Sequence, residues 1–346
     1  MSNKANLLAG AAETESRKDS HLALALSSQN FAIDPRFYYE PMIAAHPAAN
    51  SEWPISLGNK ILKYPLWISS MTGGTAKTNL VNQRLAKAAA KFGLGMGVGS
   101  ARIALEDGTK EKDFDLRPLL GKNAPYFLNF GIAQIEKLIQ SGSLQTIKDL
   151  VLRLDADGVI IHVNPLQEWM QPEGDRIQQA PIDTIRYFLE HTRLPLIVKE
   201  VGQGFGYESM KQLLQLPLLA IEFAANGGTN FSKLELLRNQ TKSKYLMPFV
   251  QVGQPAEEMV DISNRLQEQL GNKVKCKTLI ISGGIKTFLD GYYLIRKSKY
   301  NALYGQASEM LRYANESQEA LEEYIQYQIE GLILARTFLT IKEHIK

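Results

Sequence analysis

The chain contains 346 residues, of which 45% are hydrophobic and 22% are charged, and its formal net charge at pH 7 is +3. This composition is that of an ordinary globular protein, and it excludes a collagen, a long disordered chain and a disulfide scaffold. The longest uncharged runs are too short to span a membrane, and no basic run is long enough for a nucleic-acid-binding arm, so we expect small anions as partners. The first residues contain no signal-peptide core and the single cysteine, Cys276, suits a reducing compartment, which predicts a cytoplasmic protein with a structural Cys276.

The order of apolar and amphipathic segments predicts an α/β fold. Residues 1–60 contain four prolines in their second half and predict an irregular N-terminal extension. Residues 61–346 alternate short apolar, β-rich runs with longer stretches of helical spacing. Nine runs are candidate strands: 65–70, 94–100, 126–130, 158–164, 195–201, 219–224, 247–252, 277–284 and 302–307. Helical spacing is clearest at 144–156, 181–192, 207–216 and 255–270, and a last long helix is predicted from about residue 316 to residue 344.

A closed (β/α)8 barrel needs eight strands, so one of the nine runs is surplus. Barrel enzymes commonly hold phosphate on the loops after the seventh and eighth strands, and the glycine-containing segments 282–284 and 304–307 suit that role. We therefore assign residues 247–252 to an extended part of the loop after the sixth strand, followed by a helix that begins at Pro255. The prediction is a TIM barrel over residues 61–346, with an open, doubly wound sheet as the alternative.

Two strand ends contain polar side chains that chemistry can use. Because side chains alternate along a strand, His162 is expected to face the barrel mouth, with Gln167 and Glu168 following in the next loop. Lys199 ends the fifth strand and is expected to face the same mouth, where a buried ammonium needs an anion. The alternatives are a satisfied core histidine, solvated loop residues and a lysine that extends outward to solvent.

Four further strand ends are rich in glycine and small polar residues. They are residues 69–74 (SSMTGG), 97–100 (GVGS), 128–131 (LNFG) and 227–230 (GGTN). Each alone is typical of an ordinary helix cap, but together around one rim they indicate contacts with a large planar cofactor that has a phosphate tail. Near the N-terminus, residues 17–21 (RKDSH) form a basic cluster that is either an exposed helical turn or a segment that binds a polyanion over the mouth.

In these motifs the sequence resembles the type 2 isopentenyl diphosphate isomerases, which are FMN-dependent (β/α)8 barrels. The most specific piece is HVNPLQE at residues 162–168 with PEGDR at residues 172–176. The other motifs follow in the order that the family has them, and the resemblance extends over nearly the whole chain, from residue 17 to residue 307.

The resemblance implies FMN and Mg²⁺ as cofactors, NADPH as the reductant, and a homo-oligomer, either a tetramer or an octamer. It implies FMN contacts at Ser70, Met71, Thr72, Ser100, Asn129, Lys199, Thr229, Gly283, Gly284, Ile285, Ala307 and Ser308. It implies substrate contacts at Arg17, Lys18, Ser100, Ala101, Arg102 and Gln167, and a Mg²⁺ ligand at Glu168. In this picture Gln167, His162 and Lys199 are the catalytic residues, and residues 1–60 contribute part of the substrate site.

Three functions are weighed on these residues. The first is isomerisation of isopentenyl diphosphate to dimethylallyl diphosphate by proton transfer with reduced FMN. The second is an FMN-dependent oxidoreductase of the hydroxy-acid-oxidase kind, in which His162 is the base but Gln167 and Glu168 have no evident task. The third is a non-catalytic flavin- or diphosphate-binding barrel, favoured mainly by Ala101, which stands where the family usually has glutamine. Residues 225–226 and 297–301 also depart from the family pattern.

Overall fold

The computed structural model describes residues 21, 24–25, 28, 32–70 and 76–342 of the chain. Residues Tyr39–Ile341 belong to one compact unit, and the remaining described residues belong to a second. In the second unit Arg36 forms an ion pair with Asp34 at 2.7 Å. The predicted boundary at residue 60 between an extension and a barrel stays a prediction.

The strands and helices follow the alternation that the sequence predicts. The strands are β1 (Phe37–Tyr39), β2 (Ile55–Leu57), β3 (Lys60–Leu62), β4 (Leu66–Ile68), β5 (Gly95–Ser100), β6 (Tyr126–Gly131), β7 (Gly158–His162), β8 (Leu196–Lys199), β9 (Ala220–Glu222), β10 (Thr278–Ser282), β11 (Asn301–Gln306) and β12 (Leu339–Ile341). The helices are α1 (Ala76–Phe92), α2 (Arg102–Glu106), α3 (Arg117–Leu120), α4 (Ile132–Gln140), α5 (Gln145–Arg153), α6 (Pro165–Met170), α7 (Pro181–Thr192), α8 (Tyr207–Leu214), α9 (Phe231–Arg238), α10 (Gln240–Leu246), α11 (Ala256–Leu270), α12 (Phe288–Lys297), α13 (Ser308–Glu316) and α14 (Gln318–Phe338).

Strands β4 to β11 form a closed barrel in chain order, in which every neighbouring pair is parallel and β11 pairs with β4. The predicted TIM barrel is therefore confirmed, and the open sheet is wrong. In such barrels the carboxyl ends of all eight strands meet at one rim, where the loops that follow them build the site.

Three predicted segments differ from the structure. Residues Met247–Gln251 form a 3₁₀ helix, so they were correctly left out of the barrel but are not extended. The last helix begins near the predicted residue, at Gln318, where Ser317 caps it by accepting from the Ala320 amide, but it ends at Phe338 because Leu339–Ile341 form β12. The N-terminal sixty residues are not wholly irregular, since Ile55–Leu57 and Lys60–Leu62 form an antiparallel hairpin.

The barrel interior contains two layers of inward-facing side chains. The apolar layer is formed by buried residues of seven strands: Trp67, Phe127, Ile160, Ile197, Ala220, Ile280 and Leu303. Leu57 and Leu62 of the β2–β3 hairpin belong to the same hydrophobic cluster. The second layer, which we call the polar layer, lies two residues further along each of these strands and on the same face. It consists of Ser69, Asn129, His162, Lys199, Glu222, Ser282 and Gly305. No helix among the described residues has the length and apolarity that crossing a membrane requires.

Candidate functional site

A cavity opens above the polar layer, at the carboxyl ends of the barrel strands. Eight residues that the resemblance implied as FMN contacts line it: Ser70, Lys199, Thr229, Gly283, Gly284, Ile285, Ala307 and Ser308. The structure thus brings together residues from five strand ends that are up to 238 positions apart, from Ser70 to Ser308. Met71 and Thr72 lie outside the described residues, as do Arg17 and Lys18.

Two glycine turns form one wall of this cavity by direct backbone contact. Gly283 has φ +92°, and a Cβ built on it would lie 2.2 Å from the carbonyl oxygen of Ala225. A Cβ on Gly227 would lie 3.2 Å from the Cα of Gly284. Only glycine permits such conformations and such close packing, so the two turns leave bare backbone exposed to a ligand. This is the kind of wall that a phosphate or a flat ring requires.

Lys199 lies at the floor of the cavity and is nearly inaccessible, with 5% of its surface exposed. Its ammonium group donates to the carbonyl oxygen of Glu200 at 2.7 Å. Burial lowers the pKa of Lys199, while Glu222 on the neighbouring strand and Glu200 raise it. An ammonium group in this setting gains free energy when an anionic or electron-rich ligand lies above it.

His162 is held in one tautomer by its neighbours. Asn129 donates from Nδ2 to Ser70 Oγ at 3.2 Å, so its Oδ1 faces the Nδ1 of His162 at 2.9 Å and accepts from it. The imidazole therefore has its proton on Nδ1 and a free lone pair on Nε2. Burial first, and then the charge of Lys199, lower the pKa of His162 to about 3, so the ring is neutral at physiological pH. It serves as a hydrogen-bond acceptor or a weak base rather than as an acid.

Gln167 and Glu168 lie on the short helix α6, directly after β7. The Gln167 amide is oriented at both ends, because Oε1 accepts from Asn164 at 3.2 Å and Nε2 donates to Glu235 at 3.4 Å. The Glu168 carboxylate accepts from Asn164 Nδ2 at 2.9 Å and from the Asp175 amide at 2.7 Å. Both side chains are thus fixed by protein contacts before any ligand binds.

The predicted substrate loop after β5 lies next to this helix. Arg102 forms ion pairs with Glu106 at 2.5 Å and with Asp175 at 3.6 Å. Its hydrogen bond to Glu106 is the main cause of its raised pKa, to which the charges of Asp175 and Glu168 also contribute. Ser100 Oγ accepts from the Arg102 amide at 3.4 Å. Ala101 is fully buried, and its amide donates to Asn129 O at 2.7 Å, so its methyl group packs inside the protein.

A magnesium site is not built by protein side chains alone. Among the described residues no group of three or more His, Cys, Asp or Glu side chains could hold a metal ion. Glu168 supplies one carboxylate, and a protein that binds Mg²⁺ through one carboxylate relies on phosphate oxygens and water for the other ligands. The single carboxylate of Glu168 therefore fits a metal ion whose other ligands are phosphate oxygens and water.

Two acidic residues of the site were not predicted from the sequence. Glu222 and Glu309 also line the cavity, whereas Ser69, Ser282 and Gln306 lie in the predicted segments 69–74, 282–284 and 304–307. Glu222 had a signal that resembles that of Lys199, because it is a charged residue that interrupts an apolar run. Glu309 lies in the first turn of α13 and had no signal of its own.

The fold and the cavity define a (β/α)8-barrel protein with a glycine-walled ligand site at the rim. No family model matches the sequence. The chain is 33% identical over 275 residues to the isopentenyl-diphosphate delta-isomerase of Rickettsia akari (strain Hartford), covering 79% of this chain and 77% of that protein. It is also 33% identical over 279 residues to the isopentenyl-diphosphate delta-isomerase of Rickettsia bellii (strain RML369-C), with the same coverage. The chain belongs to the isopentenyl-diphosphate delta-isomerase family.

Solved structures with the same fold include flavoenzymes. Flavocytochrome b2 with sulfite bound superposes with a TM-score of 0.61 at 12% identity, covering 87% of this chain and 72% of that one. A mandelate oxidase variant with a monooxide FMN adduct has a TM-score of 0.55 at 12% identity, covering 89% of this chain and 88% of that one. At such low identity these similarities show a common fold alone.

Proposed function

We propose that this protein interconverts isopentenyl diphosphate and dimethylallyl diphosphate with reduced FMN and Mg²⁺, and that NADPH reduces the flavin. The single observation that supports this most is the cavity, in which eight of the implied FMN contacts meet. Membership of the isomerase family supports the substrate. The fit of FMN rests on the bare glycine wall and on Lys199 at the floor.

The reaction moves a double bond, so one carbon gains a proton and another loses one. Ordinary side-chain acids protonate an unactivated alkene poorly, and bound reduced FMN supplies the group that handles this proton. Lys199, at the floor of the cavity, would stabilise negative charge on a bound flavin. Gln167 is an amide and therefore no acid at neutral pH, so it orients the substrate through a side chain that Asn164 and Glu235 hold in place. His162, neutral and with Nε2 free, accepts a hydrogen bond beside the substrate.

The diphosphate requires positive charge, and groups on the α6 side of the mouth supply it. Glu168 would hold Mg²⁺, which would supply positive charge to the diphosphate, and Arg102 lies near Glu168 through their shared neighbour Asp175. Arg17 and Lys18 complete the set as substrate contacts, and Ser100 belongs to the same loop. We further propose that the working form is a homo-oligomer, which light scattering coupled to gel filtration tests.

The decisive experiment incubates the purified protein with FMN, NADPH, Mg²⁺ and isopentenyl diphosphate without oxygen and follows the product by NMR. Dimethylallyl diphosphate is expected, and its absence would contradict the proposal. Oxidation of a 2-hydroxy acid, measured as bleaching of bound FMN, would favour the oxidoreductase instead. That alternative needs an arginine for the carboxylate, and among the described residues no arginine lines the cavity.

The metal role is tested by Glu168→Gln with Glu173→Gln as its control. Glu173 lies on the adjacent loop and pairs with Arg238 at 3.1 Å, so both variants lose one local charge. We expect Glu168→Gln to need at least about tenfold more Mg²⁺ for half-maximal activity, while flavin absorbance and FMN affinity stay unchanged. Identical Mg²⁺ titrations for the two variants would remove Glu168 from the metal site.

A further inference from the structure

Glu222 is a fully buried carboxyl group that the reaction described above does not use. It lies on β9 with 0% of its surface exposed, and in the barrel register it is the residue opposite Lys199. Both side chains belong to the polar layer and both line the floor of the cavity. A buried acid beside a buried lysine is costly for the fold unless each compensates the charge of the other.

The other carboxylate near Lys199 is already engaged elsewhere. Oε2 of Glu200 accepts from the backbone amides of Gly202, Gln203 and Gly204 at 2.7, 2.6 and 2.9 Å. These three bonds fix Glu200 in the loop after β8, and only its carbonyl oxygen contacts the ammonium group. Glu222 therefore remains as the acidic side chain whose negative charge is not already balanced by such donors.

The hydrogen bonds of Glu222 are too few for a charge that stands alone. Oε1 accepts from Ser282 Oγ at 3.4 Å, and Oε2 has no hydrogen-bond partner among the described residues. The Ser69 hydroxyl and the Trp67 indole lie close enough to the carboxylate to lower its pKa, although neither meets the geometry of a hydrogen bond. Burial raises the pKa of Glu222. The charge of Lys199 lowers it most, followed by Ser69, Ser282 and Trp67, and Lys199 is the one charged side chain among these groups.

We propose that Glu222 is a positioning residue for Lys199, and that its carboxylate is the counter-charge that keeps this lysine in its ammonium form at the floor of the cavity. The charged and titratable groups around the lysine are Glu222, Glu200 and, from β7, His162, which is neutral. Removal of the Glu222 charge lowers the pKa of Lys199, so the lysine loses its proton at a lower pH. The coupling itself needs no cofactor, and its consequence for FMN rests on the proposed function.

The test measures the lysine directly in the full-length, FMN-free protein. [¹³C]Lysine-labelled protein is titrated by NMR, and Lys199→Met assigns the signal. Glu222→Gln, which preserves the shape of the side chain, is expected to weaken proton binding by Lys199 at least about tenfold. Glu222→Asp, which restores the charge, is expected to recover most of this loss. Glu235→Gln is the matched control, because it removes another buried carboxylate that contacts Gln167. An unchanged midpoint in Glu222→Gln would overturn the proposal.

A reciprocal measurement covers the case in which Glu222→Gln does not fold. Coupling between two sites is mutual, so Lys199→Met must raise the pKa of Glu222 by a comparable factor. [¹³C]Glutamate NMR of Lys199→Met, with the signal assigned by Glu222→Asp, reports this shift. A Glu222 midpoint that is the same with and without Lys199 contradicts the proposal.

FMN binding separates this inference from the proposed function. If the lysine must be charged to hold the flavin, the loss of FMN affinity at high pH begins at a lower pH in Glu222→Gln than in the wild type. If the titrations of Lys199 and Glu222 are coupled but the protein binds no FMN, the inference on Glu222 stands and the proposed flavin site is wrong. If the protein binds FMN but the two titrations are independent, the flavin site stands and the inference on Glu222 is wrong.

Discussion

The two layers of the barrel interior lie only two residues apart on each strand, yet they differ in nearly every physical respect. The apolar layer is closed by aromatic and aliphatic packing, with Trp67 and Phe127 in edge-to-face contact at 6.0 Å. The polar layer contains both a buried lysine and a buried glutamate, and Ser69 Oγ and Glu222 Oε2 have no hydrogen-bond partner among the described residues. The apolar layer stabilises the barrel, whereas the buried polar groups of the polar layer lower its stability and form the floor of the cavity.

The largest effect is expected where the apolar layer loses volume. Phe127 is 2% exposed, and Phe127→Ala is expected to lower the free energy of unfolding by about 3 to 5 kcal/mol. The reason is that the closed barrel cannot collapse to fill the void that the missing ring would leave. Leu152→Ala, at a side chain that is 76% exposed, is the control and should change stability by about 0.5 kcal/mol or less. If urea unfolding gave the same loss of unfolding free energy for Phe127→Ala and Leu152→Ala, the apolar layer would not be the main source of the barrel's stability.

The glycine wall is the next most sensitive place. Gly283→Ala forces a Cβ to within 2.2 Å of Ala225 O at φ +92°, so we expect a loss of about 2 kcal/mol or more together with weakened FMN binding. Gly121→Ala has a similar φ of +67° but nothing within 4 Å, so it isolates the backbone term of about 1 to 2 kcal/mol. Thermal unfolding measures the stability of each variant, and flavin fluorescence measures its FMN binding. Normal FMN binding by Gly283→Ala would contradict a role of the glycine wall in the flavin site.

The histidine of the polar layer predicts a pH dependence of stability. The unfolded chain takes up a proton on His162 near pH 6.5, whereas the folded protein takes it up only near pH 3. Acidification through this window therefore favours the unfolded state, and stability rises with pH between these two values. His162→Gln should show a shallower slope of unfolding free energy from pH 6.5 to pH 4. Parallel slopes for the two proteins would show that the ring titrates normally.

The smallest effect distinguishes two serines of the same layer. Ser69 Oγ is buried and has no hydrogen-bond partner in the described part of the chain, so Ser69→Ala is expected to be neutral or stabilising by about 1 kcal/mol at most. Ser282 Oγ accepts from the Ala224 amide at 2.9 Å and donates to Glu222, so Ser282→Ala should cost about 1 to 3 kcal/mol. A larger loss for Ser69→Ala would indicate a partner that the packing does not show.

The sequence by itself determined the alternation of strands and helices, the eight strands of the barrel and most of the rim. Periodicity placed His162 and Lys199 on the inward face, because alternation along a strand is a local property. The motifs at residues 227–230 and 282–284 were visible because glycine marks backbone that a side chain would obstruct.

Only the tertiary structure decided which of these groups share a layer. The pairing of Lys199 with Glu222, and of Gln167 with Glu235, depends on the register between distant segments, which no local pattern contains. Residues Met247–Gln251 could not become a strand because β9 already pairs with β10 in a closed barrel, which leaves no free edge. Barrel closure thus settled what composition and periodicity left open, and it placed Glu222 opposite the lysine that the sequence had singled out.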